Sequence, residues 1–83
     1  MNEFNSVHEA YCEELSRKYG FGPQDIHNAF YWMDGYTRAA GITFTAEQRH
    51  SLIEGVVRVA NVAGTNITFW LRHVLTHIKE RKQ

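Results

Sequence analysis

Residues 45–66 read TAEQRHSLIEGVVRVANVAGTN, and this stretch decides the fold class. Thr45 and Gln48 have the Thr-x-x-Gln spacing of a capping box, in which two side chains satisfy two orphan N–H groups at a helix start. Behind that cap, Leu52, Ile53, Val56, Val59, Ala60 and Ala63 recur at helical spacing and predict a broad apolar face, with Val57 and Val62 outside it. The β-branched valines would suit a strand, but the cap and the spacing outweigh them. Gly64 predicts the stop, and Thr65 or Asn66 the N-cap of a new helix.

The same punctuation extends in both directions. Downstream, a helix over 66–81 carries an apolar stripe of Ile67, Trp70, Leu71, Val74 and Ile78, with Phe69 pointing away. Upstream, Pro23 is a good first helical residue because its missing N–H has no intrahelical partner there. Ile26, Ala29, Phe30, Met33, Thr37 and Ala40 then predict the buried face of a helix over 23–40 that stops at Gly41. Trp32 and Tyr36 widen one flank of that face. A first helix over 4–19 places Phe4, Val7, Tyr11 and Leu15 on one side, with acidic residues early and Arg17 and Lys18 at its end, as the helix dipole favours.

The expected fold is therefore all-α, a compact bundle of about four helices in a single domain spanning 1–83, with antiparallel neighbours. A regular up-down-up-down order would set the acidic start of the first helix against the basic end of the fourth. The rival is a less regular orthogonal array, because the turn at Gly64 is very tight.

Composition narrows the function classes. Lys plus Arg and Asp plus Glu each number 9, so the formal net charge is zero, which disfavours a general nucleic-acid or membrane-surface binder. Cys12 is the single cysteine, so no internal disulfide can form and a reducing, cytoplasmic setting is expected. Met1–Asn5 lacks the basic and apolar regions of a secretory signal, and no stretch has the ~18 apolar residues of a membrane span. Asn66-Ile67-Thr68 matches a glycosylation sequon and reads as chance in that setting.

No catalytic pattern stands out. Gly20-Phe21-Gly22 lacks the third glycine of a phosphate loop, and Glu13-Glu14 lies on a solvated face. A Cys12–His8 pair on one helix would have no orienting third group. The chain reads as non-enzymatic.

Three binding readings follow. The first is a protein–protein interaction module: a regulator, an adaptor, or an inhibitor of the kind encoded by phages and mobile elements. It would engage another protein or a second copy of itself. Aromatic residues exceed what one face per helix can bury, and Phe69, Trp70, Arg72, His73 and His77, with Tyr31 and Trp32, are the expected contact set. Phe21 and Phe44, in loops, are expected to cap the ends of the core. The size class rather than any motif carries the regulatory role.

The alternative is a helix-turn-helix regulator using the third and fourth helices. Asn66, Thr68 and Arg72 would face bases, and Lys79, Arg81 and Lys82 phosphates. The crowding of Phe69 and Trp70 on the recognition helix counts against it. The further alternative is a zinc site. His8 and Cys12 are four apart, as are His73 and His77, and in a regular bundle the two pairs would meet. Set against zinc are a polar flank for the histidines and a small buried hydrophobe for Cys12. No other cofactor is expected.

Overall fold

The computed structural model describes residues 3–81, with side chains from His8 onward. It holds four helices: α1 (Glu3–Tyr19), α2 (Pro23–Ala40), α3 (Ala46–Ala63) and α4 (Ile67–Arg81). Their ends agree with the sequence punctuation to within a residue, and the local chemistry explains why. The Thr45 hydroxyl accepts the Gln48 N–H at 3.1 Å, and the Thr45 N–H donates to the Gln48 side-chain oxygen at 2.9 Å. Gly41 and Gly64 take left-handed conformations at φ 73° and 70°, the C-terminal stops that a β-carbon would strain. Asn66, rather than Thr65, caps α4, its Oδ1 accepting the Phe69 N–H at 2.9 Å. The Thr65 hydroxyl instead accepts from the Trp70 indole N–H.

The α1–α2 and α3–α4 pairs fold back on each other, α2 and α3 meet only locally, and α2 packs more extensively on α4 than on either of its sequence neighbours. Contacts between α1 and α2 run from Ser16 with Phe21 at the turn back to His8 with Phe30. Asp34 of α2 meets Arg49 of α3, and Val56 and Val59 of α3 share a groove with Trp70 and Val74 of α4. One apolar cluster joins all four helices through Cys12, Leu15, Ile26, Phe30, Met33, Ile53, Val57, Leu71 and Leu75. Phe21 and Phe44 pack against it from the loops, as their positions predicted.

Three expectations are corrected. First, α2 and α3 each touch all three other helices, whereas α1 and α4 do not meet among the described residues. The described body is a slab of 36 × 34 × 17 Å rather than a regular cylinder of helices, and among the described residues the acidic side chains of α1 and the basic ones of α4 are not apposed. Second, the core face of α3 is rotated. Val57 is fully buried, while Val59 and Ala63 are exposed. A helix flanked by three others turns a different arc inward from one packed on a single layer. Ile53, Val56, Val57 and Ala60 form that arc. Third, the quartet His8, Cys12, His73 and His77 is not assembled, because its two pairs sit on the two helices that do not touch. The expected core positions Phe4 and Val7 lie outside the described side chains.

Candidate functional site

Two surface features stand out, on different parts of the molecule. The first lies between α3 and α4. An open groove of about 430 Å³ is lined by Leu52, Val56 and Val59 from one helix and by Trp70, His73 and Val74 from the other, with Arg58 and Ser51 at its edge. Its walls are apolar because the rotation of α3 brings Val59 to the surface, 44% exposed. Val62, a turn further along α3, is 83% exposed, and Phe69 on α4 is 59% exposed. Large apolar side chains are the costly ones to leave in water. Trp70 is half-buried and fixed in place. Its indole N–H is bonded to Thr65, and Phe69 and His73 stand edge-on to its ring at 5.4 and 6.2 Å.

His73 links the groove to a second depression along α4, lined by Phe69, Arg72, His73, Thr76, His77 and Glu80. Five of the seven expected contact residues, Phe69, Trp70, Arg72, His73 and His77, thus fall on one continuous strip. The remaining two do not join it. Trp32 is half-buried, stacks on Tyr36 at 5.4 Å and packs against the core. Tyr31 is 84% exposed and borders a different concavity.

That concavity is the second feature. It has a volume of about 480 Å³ and is lined by His8, Gln24, His27, Asn28, Phe30, Tyr31, Asp34 and Arg49. Its floor is Phe30, whose ring meets His8 edge-on at 4.8 Å and carries the Arg49 guanidinium over its face at 5.3 Å. Arg49 in turn grips Asp34 through two parallel bonds, Nε to Oδ1 at 3.0 Å and Nη2 to Oδ2 at 2.7 Å. The fork matches the carboxylate and fixes the rim of the cavity. Behind the histidines lies Cys12, fully buried, with its Sγ 3.8 Å from His8 Nε2. The ligand atoms of His8, Cys12 and His27 all fall within 4.8 Å of one another. Burial holds the His8 imidazole below its ordinary pKa, assisted by His27, Arg49 and His50 as neighbouring positive charges. Burial likewise pushes the Cys12 thiol up to about 11.

His27 had no distinguishing spacing in the sequence, because its partners are reached across the Gly20–Pro23 turn and not along one helix. Folding α1 back on α2 about that turn sets position 27 within about a turn of Cys12, the one signal that could have found it. The His50–Tyr11 stack at 4.3 Å was equally invisible, since it joins α1 to α3.

Among the proposed DNA contacts, Asn66 and Thr68 are exposed but occupied at the cap, where the Thr68 hydroxyl bonds Asn66 Oδ1 at 3.2 Å. Arg72, Lys79 and Arg81 are exposed along α4, and Lys82 lies outside the described residues. No helix among the described residues is long and apolar enough to cross a membrane. Comparison of the chain with protein-family models, with curated proteins and with solved structures found no match.

Proposed function

We propose that this chain is a non-enzymatic interaction module that receives an amphipathic helical segment of another protein in the α3–α4 groove. One observation carries the reading. Of the four large apolar residues exposed among those described, three lie on α3 and α4: Val59 lines the apolar groove between them, Phe69 lines the depression that shares His73 with it, and Val62 lies one turn beyond Val59 on α3. A groove between two helices accepts the apolar face of a third, with side chains at helical spacing as anchors. The polar rim sets the complementary charge. Arg58 and Arg72 border the groove and its extension, with His73 and His77, against the carboxylate of Glu80. A partner helix with an apolar stripe and acidic flanks fits that surface. By masking such a segment the module acts as an adaptor or inhibitor of the protein that owns it.

The test compares the wild-type chain with Val59→Asp and Phe69→Ala, each checked for unchanged helicity. An acidic-flanked amphipathic peptide is titrated while amide shifts are followed. Shifts confined to the α3–α4 groove, and weakened at least about tenfold in Val59→Asp, support the reading. Equal binding by all three forms, or shifts centred on another face, overturns it. Concentration-dependent dimerisation abolished by Val59→Asp would instead assign the groove to a second copy of this chain. Duplex binding lost with Arg72→Ala would assign α4 to nucleic acid.

A further inference from the structure

We infer that His8, Cys12 and His27 form a binding site for a zinc-class divalent cation, pinning α1 to α2. The donor set is one thiol and two imidazoles. This combination suits zinc and cobalt, and is wrong for calcium or magnesium, which take oxygen ligands. The spacing is close to what the ion requires. With Zn–S of about 2.3 Å and Zn–N of about 2.0–2.1 Å, tetrahedral coordination sets the donor atoms roughly 3.3–3.6 Å apart. Cys12 Sγ and His8 Nε2 are already 3.8 Å apart, and the widest pair of the three is within 4.8 Å. The ion therefore has to draw the donors together by about 1 Å at most from where they stand.

The donors come from two helices joined by a short turn. His8 and Cys12 stand one turn apart on the same face of α1, and His27 is supplied by α2 across the tight hairpin. Cys12 is fully buried in the shared core cluster that also holds Leu15, Ile26 and Phe30, which keeps competing thiol chemistry away. The histidines border the open concavity beside Asp34 and Arg49, so the ion has a path in. Three protein donors leave a fourth position for water. Cation binding displaces the thiol proton to solvent, so the bound form is a thiolate. Because the ion bridges two helices of the folded chain only, it stabilises the fold by mass action.

The proposal is independent of the groove reading, since none of its residues lines the α3–α4 surface. The experiment is titration of the metal-free, reduced protein with Co²⁺, followed by Zn²⁺ displacement. The expected result is a 1:1 complex with a thiolate-to-cobalt charge-transfer band and the visible bands of a tetrahedral ion. Binding should weaken at least about tenfold in His27→Gln, and the band should vanish in Cys12→Ser. His73→Ala/His77→Ala should titrate as wild type. Zn²⁺ should raise the melting temperature of the wild-type chain and not of His27→Gln. Cys12 is in the core, so if Cys12→Ser does not fold, the half-buried His27 still decides the matter. Absence of the thiolate band in the folded wild-type protein overturns the proposal. So does wild-type affinity in His27→Gln, or loss of the site in the His73/His77 variant.

Discussion

Tyr11 belongs to three local environments at once. Its hydroxyl donates to the His50 carbonyl at 2.9 Å, its ring stacks on the His50 imidazole, and Glu54 approaches the hydroxyl at 3.5 Å. Burial, and then the Glu54 carboxylate, push the phenol up to about 12 from 10.0. The folded chain therefore holds this proton more tightly than the unfolded one. Tyr11 thus contributes stability that is full below pH 10 and is lost as pH rises through about 12. Denaturation across that window should show a steeper loss for the wild-type chain than for Tyr11→Phe. At neutral pH the same substitution should cost about 0.5–1.5 kcal/mol, the net value of one hydrogen bond. Residue-scale facts of this kind were largely hidden in the sequence. Tyr11 was legible as a core-facing residue, but Glu54 and His50 lie on a helix whose register against α1 no local spacing reveals.

At the scale of the helix, local chemistry is nearly sufficient. Pro23, the Thr45–Gln48 box, Gly41, Gly64 and Asn66 each act within a few residues of themselves, so their effects can be read without knowing the fold. Thr45→Ala should remove one side of the box and destabilise the chain by ~1 kcal/mol, seen as a lower midpoint in urea with an unchanged slope. Asn66→Ala should act similarly through α4. For a domain of this size each kcal/mol corresponds to a fall of about 4–8 °C in melting temperature. What local chemistry does not settle is which arc of a helix is buried. Val57 and Val59 are both β-branched, two positions apart, and both compatible with an apolar face. Their exchange of roles depends on α3 being touched by three helices. The groove owes its existence to that exchange, because Val59 is one of its walls.

Across the whole molecule, stability rests on one core that α2 and α3 share with both outer helices. Leu71 and Ile53 are fully buried in it. Leu71→Ala should cost about 2–5 kcal/mol by leaving a cavity in the shared core, a large share of the roughly 5–15 kcal/mol of a typical domain. Calorimetry should show the loss, and a Leu71→Ala chain as stable as the wild type would place α4 outside the cooperative core. The all-α class, the four helices, their ends and most of their apolar positions follow from caps, glycines and spacing, because those signals act over a turn or two of chain. Helix partners do not follow from them. Net neutrality and an acidic start on α1 are compatible with several packings, and charge pairing between exposed ends is too weak to choose among them. The core chose, by burying Val57 against its neighbours and leaving α1 and α4 without contact among the described residues. That choice separated His73 and His77 from His8 and Cys12, brought His27 in their place, and opened the α3–α4 groove. Such juxtapositions join residues distant in sequence, and they exist only once the apolar faces of all four helices have been satisfied together.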